Sequence, residues 1–361
     1  MLTGLVPKGT DDESLIAGME ELESLIKTYG GLVCAATVQK ADYPHRETFV
    51  GAGKAQEIAD TIAAERIDVV VINNIVKPGQ LYTLEKIFYR SNPNIKVWDR
   101  VNLILQIFSL HARTKEAKLQ IDLANLRHMG SRLFGMGYIL SRQGGGIGTV
   151  GVGETNTELM KRHWRNEMRN IGKELSKLSK GRENQIEKRK RAGYLTAAIV
   201  GYTNAGKTML FNRLTGKVNL VADALFATLD SSVGKMVIPG IRDDVIVSDT
   251  IGFIRNLPTG LVDAFKSTLL ESIHADLLLI VVDSSDPEYG DKVRTVDNVL
   301  LELGLDEKKR FYVFNKIDKV VAPEKVGSAK QYAPMPAVFI SAKTGQGMEG
   351  LTKLILQSLH G

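Results

Sequence analysis

Eight consecutive residues, Gly201-Tyr202-Thr203-Asn204-Ala205-Gly206-Lys207-Thr208, present Gly, four residues, Gly-Lys and a hydroxyl side chain. That spacing cradles phosphate. The glycines let backbone N–H groups reach the β and γ oxygens, Lys207 adds a full charge, and the Thr208 hydroxyl is placed to ligate Mg²⁺. Met209 follows where a second hydroxyl residue is usual, so its N–H still meets the α-phosphate but one side-chain contact is lost. The context agrees with the motif: residues 195–200 are an apolar run suited to a buried strand, and 209–214 carry helix-compatible Leu210, Phe211 and Leu214.

Three further clusters follow, each just beyond an apolar run: Asp249-Thr250-Ile251-Gly252, Asn315-Lys316-Ile317-Asp318 and Ser341-Ala342-Lys343. Ligands bind at the carboxyl ends of strands in open α/β sheets. Asp249 places a carboxylate near the Mg²⁺, and the Gly252 N–H meets a γ-phosphate because no side chain intervenes. Asp318 reads the base: a carboxylate accepts from both N1–H and the 2-amino group of guanine, a pair that adenine lacks. Asn315 braces the loops, Lys316 lies along the base, and the Ala342 N–H donates to the guanine carbonyl. The expected ligand is GTP or GDP, and the expected reaction is GTP hydrolysis.

Between these clusters, residues 223–232 occupy the place of a first switch loop, in which Thr228 is the candidate to join Mg²⁺ and the γ-phosphate; residues 253–270 form the second. In Ras-type GTPases a Gln directly after Asp-x-x-Gly orients the attacking water, and here that place holds Phe253. No catalytic residue is assigned, and hydrolysis is expected to be slow until a partner orders the switches. Arg255 reads as a solvent-facing arginine in preference to an internal finger. Asn204 leaves room for a K⁺ ion beside the phosphates as a lesser reading.

The positioning elements divide the 361 residues into three segments. Residues 1–105 alternate strands (31–38, 67–72, 95–98) with helices (54–65, 79–89), which predicts a small α/β domain. Its Gly51-Ala52-Gly53-Lys54 turn opens a helix and reads as a plain turn, with anion binding as the other option. Residues 106–192 read as a long antiparallel helical hairpin. Leu119, Leu123, Leu126, Gly130 and Leu133 form one stripe, and Trp164, Met168, Ile171, Leu175 and Leu178 the other. A loop at 135–153 with eight glycines in 19 residues joins them. Residues 193–361 form the nucleotide domain, with a mixed, mostly parallel sheet flanked by helices. The fold class is α/β.

The net charge of +6 is concentrated in one place: residues 161–191 hold 12 Lys or Arg against 4 Asp or Glu, a local +8. Such an excess suits a polyanion, with a solvated helix face as the plain alternative. Arg142 in the glycine loop, with Arg132 beside it, and Lys161, Arg162, Arg165 and Arg169 on the second helix are candidate RNA contacts. The one cysteine, Cys34, forms no internal disulfide and reads as a small core residue in the apolar run 32–36. With no signal-like start and no apolar run long enough for a bilayer, neither export nor membrane insertion is expected. The sequence sets no oligomeric state; a monomer is the working expectation.

The order of these pieces resembles the HflX GTPases, ribosome-associated P-loop proteins of the translation-factor-related class. The marks are 49–54 (Phe-Val-Gly-Ala-Gly-Lys), 112–120 (Ala-Arg-Thr-Lys-Glu-Ala-Lys-Leu-Gln), the glycines from 144 to 153 with Glu154-Thr155, 225–230 (Leu-Phe-Ala-Thr-Leu-Asp) and 249–258 (Asp-Thr-Ile-Gly-Phe-Ile-Arg-Asn-Leu-Pro). The resemblance implies a cytoplasmic GTPase that binds the large ribosomal subunit, with the loop and hairpin approaching ribosomal RNA and the ribosome stimulating hydrolysis. It also implies ATP-driven RNA remodelling through the N-terminal domain in some members. Val150 and Val152 depart from the family's Arg-Gly-Pro-Gly-Glu-Thr, removing a charge from that loop; Asn73 and Asn74 stand where acidic residues are frequent and speak against the ATP chemistry. Two other readings stay open: an ATP-driven RNA helicase regulated by GTP, and a GTP-dependent protein-binding switch without RNA.

Overall fold

The computed structural model describes residues 1–128, 152–219, 221, 225, 226, 231–237, 245–255, 261, 269–320 and 336–360. They divide into two compact units, Met1–Leu110 with Lys118–Leu175, and His111–Ala117 with Ser176–Gly361. Thr228, Arg132, Arg142, Gly130, Leu133, nearly all of the glycine loop and most of the switch segments 223–232 and 253–270 lie outside the described residues. Among the described residues no helix is long and apolar enough to cross a membrane.

The first unit is built on a four-stranded, all-parallel sheet in the order β2-β1-β3-β4, with β1 (Leu2–Val6), β2 (Ala36–Lys40), β3 (Val69–Ile72) and β4 (Lys96–Asp99). Helices α1 (Asp12–Tyr29), α2 (Ala52–Glu65), α3 (Pro78–Phe88) and α4 (Arg100–His111) join and follow the strands. The core is Ile58, Ile62, Val70, Ile72, Leu81, Leu84, Phe88 and their neighbours.

Residues 31–35, expected within a strand, are not one. Gly30 ends α1 at φ 96°, its N–H donating to Ile26 O and Lys27 O, and the Gly31 N–H also goes to Ile26 O. This left-handed cap turns the chain, and pairing with β1 begins only with the Leu2 N–H donating to Ala35 O at 2.9 Å, ahead of β2. Leu32 is therefore 80% exposed, and Cys34 is an exposed thiol and not a core residue. The sequence reading also passed over β1 and α1, although Asp11 caps α1 by accepting from the Ser14 N–H at 2.7 Å.

Where the Gly-x-Gly-Lys turn opens α2, its first N–H and its lysine have partners within the unit. The Gly51 N–H donates to Gln39 Oε1 at 2.8 Å, and Lys54 Nζ to Thr37 Oγ1 and Glu57 Oε1 at 3.1 and 2.8 Å. Asn74 stitches β3 to β1, accepting from the Leu5 N–H at 2.9 Å and donating to Leu5 O at 3.0 Å. Asn73 accepts from Arg100 Nη1 at 2.6 Å, and Arg100 also pairs with Glu21 at 2.7 Å. Asn74→Ala removes both Leu5 partners and should loosen this edge by about 1–3 kcal/mol. Faster hydrogen exchange at the Leu5 amide is the readout; unchanged protection would show that the side chain holds nothing.

The expected helical region is present as α5 over residues 115–128 and α6 (Val152–Arg191). Its buried stripes differ from those expected. On α5 the buried positions are Ala117, Gln120, Ile121, Leu123 and Ala124, while Leu119 and Leu126 are half-buried. Of the expected stripe, Leu123 is buried, and the most enclosed face is rotated toward Ala117, Gln120, Ile121 and Ala124. His128 on the same helix reaches the fully buried Asp99 at 3.1 Å. On α6 the stripe runs through half-buried Trp164, Met168 and Ile171 to buried Leu175. It then shifts by one: Leu178 is 37% exposed, and Ile186 is buried instead. A 3.6-residue repeat drifts off a 3.5-residue stripe over such a length.

The second unit holds a six-stranded sheet in the order β10-β9-β8-β5-β7-β6. These are β5 (Leu195–Gly201), β6 (Ser232–Lys235), β7 (Val245–Asp249), β8 (Leu277–Asp283), β9 (Arg310–Asn315) and β10 (Ala337–Phe339). All neighbours are parallel except β6, which runs antiparallel to β7. Among the described residues, helices α7 (Lys207–Thr215), α8 (Leu270–His274), α9 (Tyr289–Glu302) and α10 (Met348–His360) accompany it. The almost wholly apolar β5 and β8 occupy the middle, as strands buried on both faces must. Register sets Asp249 beside Ile199 and Asn315 beside Asp283, so all the motif residues emerge at one edge of the sheet.

Candidate functional site

The phosphate loop leaves β5 through Gly201, whose φ is 147° and where a Cβ would stand 2.3 Å from Val281 O. It enters α7 through Gly206 at φ 90°, where a Cβ would fall 2.3 Å from Asn315 Nδ2. Asn204, exposed at the loop's tip, is also left-handed, with φ 60°. Both glycines are thus required by contact as well as by backbone angle. The loop is braced beneath: the Thr203 N–H donates to Phe253 O at 2.8 Å, and the Phe253 N–H to Gly201 O at 3.1 Å.

Lys207 is buried, its Nζ donating to Tyr202 O at 2.7 Å. Burial lowers its pKa to about 8, with the nearby Asp249 charge acting in the opposite sense. Asp249 is fully buried, and burial raises its carboxyl to about 6 against the hydrogen bond from Thr208 and the charge of Lys207. The Thr208 hydroxyl donates to Asp249 Oδ2 at 2.7 Å, while Asp249 Oδ1 is buried with no hydrogen-bond partner. A hydroxyl against a carboxylate with a bare oxygen suits a hydrated divalent cation. Met209 is half-buried and packs on the core, which explains how an apolar side chain is accommodated after Thr208.

Gly252 is pressed onto the loop: a Cβ there would lie 2.8 Å from Thr203 Cα and 2.9 Å from Lys207 Nζ. The next residue, Phe253, sends its ring inward and is 2% exposed. Arg255, expected to face solvent, instead pairs with Glu288 at 3.2 Å and Asp291 at 3.5 Å, with its backbone N–H donating to the Tyr202 hydroxyl at 2.8 Å. Two carboxylates at the start of α9 overcame the solvent-facing default for an isolated arginine.

On the base side, Asn315 is buried and bridges two loops, donating from Nδ2 to Ala205 O at 2.9 Å and accepting at Oδ1 from the Ala342 N–H at 2.9 Å. The donor expected for the guanine carbonyl is thus engaged with Asn315 in this structure. Asp318 is exposed, and the Ser341 hydroxyl, itself buried, donates to its Oδ1 at 2.5 Å. Lys316 is held at φ 63° and its Nζ pairs with Asp283 at 2.7 Å. Arg213 on α7 donates to Ala342 O at 3.3 Å and Lys343 O at 2.9 Å. Asp283 and Arg213 were missed by sequence reasoning. Asp283 carries a usable signal, a carboxylate ending an apolar run; Arg213 carries none.

The structure therefore gathers Gly201 to Thr208, Asp249, Gly252, Asn315, Lys316, Asp318 and the 341–343 loop at one end of the second unit's sheet. Of the RNA candidates, Arg162, Arg165 and Arg169 are exposed on α6, and Lys161 is half-buried. Positions 162, 165 and 169 share one helix face.

Three family models match in order: GTP-binding GTPase N-terminal over 17–109, GTP-binding GTPase middle region over 111–189, and 50S ribosome-binding GTPase over 196–316. The chain is 41% identical over 360 residues to the GTPase HflX of Caldanaerobacter subterraneus subsp. tengcongensis, covering 99% of this chain and 80% of that one. It is 39% identical over 343 residues to the GTPase HflX of Escherichia coli K12, covering 95% and 79%. A crystal structure of SsGBP in complex with GDP is similar at 27% identity with a TM-score of 0.51, covering 99% of this chain and 98% of that one.

Proposed function

The chain belongs to the GTPase HflX family, and from that premise we propose that this GTPase is a switch that docks on the large ribosomal subunit through RNA, turns over slowly alone and is stimulated there. GTP hydrolysis to GDP and phosphate follows from the family. The ribosomal partner and the cytoplasmic location that goes with it are the proposed part, as are the boundaries 1–105, 106–192 and 193–361 and the residue roles below.

In this reading the N–H groups from Asn204 to Met209 surround the phosphates while that of Thr203 stays on Phe253 O, and Lys207 exchanges Tyr202 O for phosphate oxygens. Thr208 and Asp249 would hold Mg²⁺, joined by Thr228 in the GTP state; the ion supplies positive charge at the phosphate oxygens. Gly252 lets its N–H approach the γ-phosphate. Asp318, aimed by Ser341, reads guanine, while Asn315, with Ala342 and Lys343, sets the loop against the base and Lys316 lies along it.

The observation that carries the proposal is Phe253. Its side chain lies in the core, so the place that orients water in Ras-type enzymes contributes nothing to the reacting centre. A partner must supply order or a catalytic group, and the +8 segment on α6 points to a polyanion. No observation favours the ATP-driven reading, because Asn73 and Asn74 use their amides on Gly18, Leu5 and Arg100 at the carboxyl end of β3.

The test is GTP turnover with and without purified large ribosomal subunits at two salt concentrations. A rise of at least tenfold that fades at high salt is expected, because phosphate contacts weaken steeply with ionic strength. No stimulation, with slow turnover intact, would remove the ribosome from the proposal. Running the series in potassium and in sodium salts tests the K⁺ beside Asn204: equal rates would discard it.

A further inference from the structure

Two arginines of α6 reach, within the second unit, the flanks of both segments assigned as switches. Arg182 donates from Nη1 to Ser231 Oγ at 3.1 Å and from Nη2 to Glu116 Oε2 at 2.7 Å. Ser231 lies at the C-terminal end of the first segment, 223–232. Seven residues on, about two turns, Arg189 Nη2 donates to Glu271 Oε1 at 2.7 Å. Glu271 directly follows the second segment, 253–270, and opens α8.

Neither pair is an ordinary surface contact. The side chains of Arg182 and Glu116 are 22% and 11% exposed, and those of Arg189 and Glu271 20% and 8%. Glu116 Oε1 and Arg189 Nη1 are buried with no hydrogen-bond partner, so each pair satisfies only part of the hydrogen-bonding capacity of its buried charges. The same stretch of α6, residues 176–191, carries seven Lys or Arg against two Glu, a net +5. One stretch of helix thus carries an excess of positive charge and holds residues at the ends of both segments assigned as switches.

We propose that Arg182 and Arg189 are positioning residues that couple the GTP site to polyanion binding on α6. A change in the first switch moves Ser231, and one in the second moves Glu271. Each shift changes how the arginines, and hence the neighbouring lysines and arginines, are held. By linkage the reverse also applies: a polyanion that favours one setting of α6 favours one nucleotide state, by the same factor. The inference deepens the function proposed above and rests on its switch segments and its polyanionic partner.

The experiment compares the affinity of full-length protein for purified large subunits in the GDP form and in the form bound to a non-hydrolysable GTP analogue. Wild type should show at least a tenfold difference. The Glu116→Ala/Glu271→Ala double variant keeps every positive charge of α6, so loss of basic charge cannot explain its behaviour. Its ratio should fall below about threefold while GDP-form affinity and intrinsic turnover stay within about threefold of wild type. The charge exchange Arg189→Glu with Glu271→Arg should restore part of the ratio that Arg189→Glu alone removes. A merely structural pair would lower both affinities together and leave the ratio alone; that result, or a double variant with the wild-type ratio, overturns the inference. If wild type does not bind subunits at all, the ribosomal reading has failed, and polyuridylate replaces them as probe. Nucleotide-dependent polyuridylate binding that the double variant loses supports the coupling; nucleotide-independent binding overturns it.

Discussion

Asp318→Asn should exchange GTP for xanthosine triphosphate as the preferred nucleotide. The carboxylate is exposed toward solvent, and its Oδ1 takes the Ser341 hydroxyl at 2.5 Å, which fixes the plane in which it meets a base. As a carboxylate it accepts from guanine N1–H and the 2-amino group; an amide keeps one acceptor and presents a donor that matches the 2-carbonyl of xanthine. Hydrogen bonds to charged groups contribute about 1.5–3 kcal/mol each, so losing one and weakening the other should lower GTP affinity on the order of 100-fold. Competition binding with GTP, ITP and XTP is the measurement. ITP, which lacks the 2-amino group, should lose less than GTP, and XTP should gain. Unchanged GTP affinity would mean that the base is read elsewhere.

Phe253→Gln, the change that would restore the Ras-type residue, should destabilise the protein without speeding hydrolysis. Phe253 is among the largest fully enclosed side chains, and its backbone is bonded on both sides to the phosphate loop. Removing the ring leaves a cavity, for which large-to-small core changes set a scale of about 3 kcal/mol. The amide that replaces it enters a site closed to solvent, adding about 1–3 kcal/mol where it finds no hydrogen-bond partner. Together these amount to roughly 4 kcal/mol or more, against a total stability of only about 5–15 kcal/mol for a typical domain. Urea unfolding and intrinsic turnover should be read on the same preparation. A tenfold faster turnover with unchanged stability would show that position 253 reaches the reacting centre, and the argument for an external activator would fall with it.

Both predictions turn on side-chain direction, which separates what the sequence supplied from what it withheld. The phosphate loop, Asp249 with Gly252, Asn315 with Asp318, and the 341–343 loop were legible because each uses obligatory residue types at fixed spacing, directly after an apolar strand. Packing demands a glycine where a Cβ would strike Asn315 or Lys207, and the proposed guanine contact asks for a carboxylate at position 318. The strands themselves were legible for a similar reason: β5, β8 and β9 are buried on both faces and read as unbroken apolar runs. A second helix through the stripe 164–178 and the concentration of positive charge at 161–191 were also legible, as periodicity and composition. That one helix runs unbroken from Val152 to Arg191 was not, because 152–153 read as loop and 182–191 suits a helix end or a linker equally.

Other features depended on where distant parts of the chain meet, and no local pattern encodes that. Leu32 and Cys34 looked like core until Gly30 turned the chain outward, and the leucines of α5 proved less buried than its alanines because the neighbouring surface, not hydrophobicity alone, selects the face. The sequence showed that Phe253 replaces a glutamine; only packing decided that the ring points into the core. Arg213 with the 342–343 carbonyls, Lys316 with Asp283, Arg182 with Glu116 and Arg189 with Glu271 join residues 33 to 130 positions apart. An ion pair requires only opposite charges within about 4 Å, a condition met by chain geometry and not by sequence order. The sequence therefore determined which ligand chemistry the protein has, and the tertiary structure decided which side chains hold that chemistry in place.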